Sequence, residues 1–349
     1  MKLSQSLKNA GRHLAQSLAS IAAAILVGML IILAVGENPI TAFGELLRGA
    51  FGSKVYLANT ISRSVPLIFT GLSVALSLRC GMFNIGAEGQ LYLGAMAAAI
   101  LGLYLEGVPR LLAIALLILA GFLGGALGGI VVGELRTRFQ ISEVIAAIML
   151  NYVFKLFTSY LAAGRFSSGE TSVQTVKLPA ELSLTTLVRS TKLTSSVIIA
   201  LVIVVAIHIF LTRTTLGFKL RAVGNNGSAA LASGISTKRL MLLTMGLSGG
   251  LAGLAGCCEV LGSYHRFIEG FSPSYGFTGI AVAILGRSNP FGVVLTSLLF
   301  ATLDSGALRM ARVTNVSSSV VTVIQSLIII SVAAPELIRF ARRKGGKKA

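Results

Sequence analysis

Apolar runs of bilayer-crossing length recur along this chain, and that pattern leaves few ways to fold. A helix needs about twenty consecutive apolar residues to span the hydrocarbon core. Within lipid, backbone N–H and C=O groups must be satisfied inside the protein, which favours helices for segments of this length. On that ruler about ten spans are expected, near residues 17–35, 57–78, 84–105, 111–133, 142–163, 194–212, 240–262, 274–287, 290–309 and 318–338. The eighth is short and interrupted by glycine, so a half-helix or re-entrant piece is expected there. Only 12% of the 349 residues are charged, where a soluble domain carries about 25%. The chain is therefore read as an all-α, polytopic membrane protein forming one transmembrane domain over residues 1–349.

Charge sets the expected orientation. Lys2, Lys8 and Arg12 precede the first apolar run, which is too long and too poor in cleavage signals for a secretory leader. With the N-terminus in the cytoplasm, the cytoplasmic side also collects Arg79, Arg136, Arg138, residues 213–239, Arg287 and the basic tail 339–349. That excess of lysine and arginine places both termini inside. The same rule accounts for a net charge of +18 without nucleic acid, because the cations are scattered over short loops and the ends. The tail is read as an anchor beside anionic lipid. Residues 164–194 then form a polar external loop and residues 212–240 a cytoplasmic one.

Several chemistries lack their residues. No GxxxxGK[ST] occurs; Gly49, Gly52 and Lys54 have the wrong spacing. His13, His208 and His265 are isolated, and Cys80, Cys257 and Cys258 have no metal-ligand spacing. Neither a cofactor nor a metal is expected, and no enzymatic step. Cys257 and Cys258 read as small packing residues in a glycine-rich helix.

The polar residues that matter lie between apolar segments. The stretch GMFNIGAEGQ, residues 81–90, places Asn84, Glu88 and Gln90 among glycines. A carboxylate at mid-membrane costs about 2.5–3.5 kcal/mol on insertion scales and so faces a partner or a watery path. On a helix, Asn84 and Glu88 share one face while Gln90 points elsewhere. Glu143 and Asn151, eight apart on the fifth span, share roughly one face. Phe83 and Tyr152 offer rings for stacking. The competing reading is that these polar groups only fasten helices together, with Glu143 capping its helix after Ser142. Near the outer surface, Arg266 and Glu269 either pair with each other, the favoured reading, or help dock a partner protein. In the cytoplasmic loop, Asn225-Asn226-Gly227 reads as a turn opening a short helix, with Ser228 as N-cap and Gly234 as its stop.

These motifs resemble a known family. GMFNIGAEGQLYLGA, then ISEVIAAIMLNYV at 141–153, LRAVGNNGSAALASGI at 220–235 and the long segment 259–295 are similar to permease subunits of ABC importers in the branched-chain amino acid and simple-sugar permease superfamily. Within it the chain looks like the nucleoside-importer branch. Thr278 stands where that branch usually has Asp, Asn226-Gly227 where Pro often follows the Asn, and His265 directly precedes Arg266 where Gly commonly intervenes. The resemblance implies a bacterial inner-membrane permease working with ATPase subunits, a second permease and a substrate-binding lipoprotein. It implies a nucleoside route lined by Phe83, Asn84, Glu88, Gln90, Glu143, Asn151 and Tyr152. It also implies that Arg221, Ala222, Gly224, Asn225, Ala229, Ala230 and Gly234 belong to an ATPase-coupling loop. A simple-sugar permease remains an alternative substrate class. An ion-coupled secondary transporter remains an alternative mechanism, though the titratable midplane pairs it requires are not evident.

Overall fold

The computed structural model describes residues 25–328 and residue 330. Among these the regular structure is helical, with a few isolated β-bridges in the loops 164–195 and 265–274. In chain order the helices are α1 Ile25–Ala34, α2 Pro39–Phe51, α3 Lys54–Arg79, α4 Ala87–Gly102, α5 Arg110–Thr137, α6 Glu143–Ala163 and α7 Ser196–Arg213. After them come α8 Thr215–Asn225, α9 Gly227–Ala232, α10 Thr237–Glu259, α11 Tyr275–Leu285, α12 Pro290–Val313 and α13 Ser319–Ile328. A π-helical turn, Val260–Tyr264, continues α10.

Six helical segments among the described residues are long and apolar enough to cross a membrane: α3, α5, α6, α7, α10 with its π-turn, and α12. The protein is an integral membrane protein. The other expected spans coincide with shorter helices, of which α4 has 16 residues and α11 has 11. The start of the first expected span, the end of the last and the basic tail lie outside the described residues.

The described helices group into two compact units, one formed by the described residues up to 60 together with those from 299 on, the other by residues 61–298. In the first, α2 is an amphipathic helix that the apolar-run ruler does not register. Asn38 caps it, accepting the Ile40 N–H at 2.9 Å, and it turns Glu45 inward. The Glu45 carboxylate joins Arg309 at 2.7 Å and Arg48 at 2.8 Å. A buried carboxylate is tolerable when guanidiniums pair it in this way.

The second unit carries the candidate site. Its core is α10 packed against α4 and α5. Glycine makes that approach possible: a Cβ on Gly253 would collide with the Gly121 carbonyl, and one on Gly94 with the backbone of Gly253. Without a hydrophobic driving force between helices in lipid, such backbone proximity is what supplies dispersion contact. Cys257 fits the same role, buried against Gly121.

The long polar loop 164–195 folds back on the end of α10. The Leu184 N–H donates to the Leu261 carbonyl at 2.9 Å, the Leu178 N–H to the His265 carbonyl at 2.8 Å and the Thr175 N–H to the Phe267 carbonyl at 3.0 Å. The expected Arg266–Glu269 pair is replaced. Arg266 reaches Glu170 of this loop instead, at 3.0 Å, because the Phe267 backbone is tied to the same loop.

Candidate functional site

The site is built around an interrupted helix. Helix α3 closes at Arg79, and Gly81 takes φ +76°, a left-handed turn that suits a residue without a Cβ. Residues 81–86 stay non-helical and α4 begins only at Ala87. This corrects the helical-face expectation, because Asn84 precedes the helix that carries Glu88. What holds the chain in this turn is Asn84 itself. Its backbone N–H donates to Ser77 Oγ at 3.2 Å. Its Oδ1 accepts from Gly86 N at 3.0 Å and from Gln90 Nε2 at 3.2 Å. Its Nδ2 donates to Gln90 Oε1 at 2.7 Å and to Ser248 Oγ at 2.8 Å.

Ser248 in turn donates to the Ser73 carbonyl at 2.7 Å. Asn84, Gln90, Ser73 and Ser248 are all fully buried. The result is a closed polar network joining α3, the turn, α4 and α10. A buried network with every member satisfied specifies one arrangement of its helices, whereas a half-satisfied one is costly.

Two short helices begin in this interior, and side chains from neighbours complete their ends. Gly86, the N-cap of α4, offers no side chain. Asn151 of α6 substitutes for it, accepting the Gly89 N–H at 2.8 Å and donating to the Ile85 carbonyl at 3.0 Å. Ser274, before α11, is left-handed at φ +67° and makes no side-chain cap. There Glu88 Oε2 accepts the Gly276 N–H at 2.7 Å. A carboxylate at a helix N-terminus satisfies an orphan donor and meets the positive end of the macrodipole. Gly276 must be glycine-sized, since a Cβ would run into the Glu88 backbone.

Glu88 differs from the buried amides in being partly exposed. Beside it, Lys155 of α6 holds its Nζ 5.7 Å from the Tyr92 ring centre. Lys155 sits near the middle of a spanning helix and is exposed. The sequence reading passed over it, although a lone lysine inside an apolar span is itself the signal.

Of the remaining expected residues, Phe83 is partly exposed in the turn. Tyr152 is 67% exposed on α6. Glu143 opens α6 and pairs with Arg136 at 3.1 Å; Ser142 makes no cap bond. Asn84, Gln90, Asn151 and Glu88 thus cluster, while Glu143 pairs elsewhere with Arg136.

At one end of the unit lies the segment 212–240. Helix α8 ends at Asn225, and Asn226, not Ser228, caps α9 by accepting the Ala229 N–H at 3.0 Å. Its extended backbone (φ −158°) breaks the helix and leaves its amide oxygen free to do so. Gly234 stops α9 with φ +78°, as expected. Gly224 lies against the α3 terminus, where a Cβ would collide with the Arg79 carbonyl. Arg221 and Ala222 are partly exposed, Asn225 and Ala229 exposed, and Ala230 buried.

The described residues thus form a multi-helical membrane protein in which polar side chains from neighbouring helices complete the starts of two shorter ones. Residues 56–333 match the family model described as branched-chain amino acid transport system / permease component, and the chain belongs to that family. It is 35% identical to the nucleoside ABC transporter permease protein NupB of Lactococcus lactis subsp. cremoris, over 95% of this chain and 94% of that one. It is 36% identical to the guanosine ABC transporter permease protein NupP of Bacillus subtilis, over 96% and 97% respectively. It is 33% identical to the glucose ABC transporter permease protein TsgB13 of Haloferax volcanii, over 92% and 87%.

Proposed function

We propose that this chain is the permease of an ATP-driven importer of nucleosides in a bacterial cytoplasmic membrane. The observation that carries the substrate class is near-full-length similarity to two relatives named for nucleosides and guanosine. Residues 1–349 serve as one permease domain with both termini in the cytoplasm, the external loop at 164–194 and the basic tail 339–349 against lipid. A second permease completes the route. The presence of two similar permease proteins, NupB and NupC, in one Lactococcus supports a paralogue as that partner. Separate ATPase subunits dock on 212–240, and a lipoprotein delivers substrate.

The exposed face of α6, with Lys155 and Tyr152, and the partly exposed Glu88 beside it line the route between the permeases. An exposed lysine in mid-span is expensive against lipid and is relieved by water or by a facing partner. Phe83 flanks the inner mouth; Asn84, Gln90 and Asn151 hold the wall in shape, and Glu143 anchors the start of α6.

Uptake of labelled guanosine by vesicles containing the assembled transporter tests this reading. Uptake is expected to require ATP, to survive ionophores and to be competed by other nucleosides. The similarity to TsgB13 keeps glucose as the second substrate reading. Competition by glucose and not by nucleosides would establish it, and loss of uptake to an ionophore at full ATP would point to ion coupling.

A further inference from the structure

A cavity of about 290 Å³ opens in the second unit, apart from the Asn84 network. Its walls come from α3, the loop 164–195, the end of α10 and the approach to α11. Aromatic rings line part of it. Tyr264 and Phe271 meet edge to face with ring centres 5.9 Å apart, and Tyr275 lines the cavity beside them. Polar and charged groups share the lining: Glu259, Ser62, Ser263, Arg63 and Lys192. Lys192 also places its Nζ 5.1 Å from the Tyr264 ring centre.

The backbone around the cavity is irregular where the cavity needs it to be. The turn carrying Ser263 and Tyr264 is π-helical, a form found mostly as single turns and often at functional sites. The loop leaving it is bounded by two non-glycine residues in left-handed conformation, His265 at φ 56° and Ser274 at φ 67°. Such conformations persist where surroundings over-determine them. Here the loop 164–195 pins the first, and Glu88 pins the second through Gly276. The loop between them brings Phe271 to the cavity wall.

A carboxylate, cations and hydroxyls sharing one cavity with aromatic rings suit a neutral ligand with an aromatic face and a vicinal diol. The diol donates two hydrogen bonds to one carboxylate, and charge assistance makes such bonds about twice as strong as neutral ones. The ring wall takes the flat face. The volume sits at the small end of ligand pockets, which start at roughly 300 Å³, so one nucleoside fits and a dinucleotide does not.

We infer that this cavity is a nucleoside-binding site of the permease itself, with Glu259 on the ribose diol and Tyr264 and Phe271 on the base. The inference rests on the nucleoside-importer reading. It places a holding site beside Tyr275, one residue from the Gly276 amide that Glu88 caps. Substrate in the cavity is thereby in mechanical contact with the start of α11.

The test uses the full chain in lipid nanodiscs. The probes are tritiated guanosine for binding and 8-azidoguanosine for photolabelling, and the wild-type complex is assayed in parallel for uptake. Labelling is expected within residues 259–275. Binding should weaken about tenfold or more in Glu259→Gln and Tyr264→Leu, as for loss of a charge-assisted pair or a stacking wall, and little in Tyr264→Phe. Saturable uptake by the complex with label falling elsewhere, or with binding indifferent to both variants, overturns the site and leaves the importer reading intact. Absence of guanosine uptake by the wild-type complex overturns both. If Glu259→Gln fails to fold, the wild-type labelling position decides alone.

Discussion

At the scale of single residues, the polar groups of 81–90 divide by exposure. Asn84 and Gln90 are sealed and spend every hydrogen-bonding group on each other, on backbone and on serines. Glu88 spends one oxygen on Gly276 and is partly exposed. Replacing Glu88 by glutamine keeps the size and an oxygen for the Gly276 N–H but removes the charge. The lost charge–dipole attraction is worth about 0.3–2 kcal/mol, so the Glu88→Gln complex should assemble with a modestly lower Tm. Guanosine uptake should fall severalfold, because a carboxylate accepts more strongly than an amide. Uptake and selectivity equal to wild type in a well-assembled complex would remove Glu88 from the route. The sequence made this cluster legible because amides and a carboxylate among glycines are anomalous in an apolar chain. It hid their division of labour, because spacing along an assumed helix says nothing about a helix that starts three residues later. Lys155 was equally visible as an anomaly but stood outside any recognised motif.

At the scale of elements, length and hydropathy recovered the long helices. They missed what depends on a second period or on irregular backbone. Helix α2 alternates faces too sharply to form an apolar run, and the π-turn differs from α10 only in register, which composition does not encode. The packing of α10 was legible only as glycine richness; the structure turns it into a specific seam with α4 and α5. A leucine at Gly253 has to push the Gly121 and Gly125 backbones aside. Overpacking of a tight core costs about 1–3 kcal/mol or more, and here rigid backbone has to yield. Gly253→Leu is therefore expected to lower complex yield and Tm sharply. Gly227→Ala, where nothing lies within 4 Å of the added carbon, should change stability by less than about 1 kcal/mol. Thermal denaturation in detergent measures both; an unperturbed Gly253→Leu protein would mean that the α10 seam is looser than drawn.

At the scale of the whole molecule, transport requires that events at a soluble ATPase reach the helices. The segment 212–240 has the build of a transmission point. Leu220, Val223 and Ala230 are buried, while Phe218 and Leu231 are 63% and 60% exposed beside the exposed Lys219. Exposed apolar residues of this kind are available for contact with the proposed ATPase. Gly224 rests on the end of α3 and Gly81 on Gly224, so movement of α8 bears directly on the turn that precedes Asn84. This contact also decides which substitution is informative. A bulky residue at Gly224 would separate α8 from α3 and confound docking with misfolding. Ala229 is exposed, and its N–H already donates to Asn226. Aspartate there adds a negative charge in the first turn of α9, where the helix dipole favours it, so the fold should stand. What it disturbs is the surface proposed for the ATPase. Ala229→Asp is expected to leave Tm and basal ATP hydrolysis near wild type while uptake per ATP hydrolysed falls about tenfold, the size of one lost interface contact of roughly 1–2 kcal/mol. Uptake and hydrolysis are measured on the same reconstituted vesicles. Wild-type coupling in an assembled Ala229→Asp transporter would move the ATPase dock away from α9.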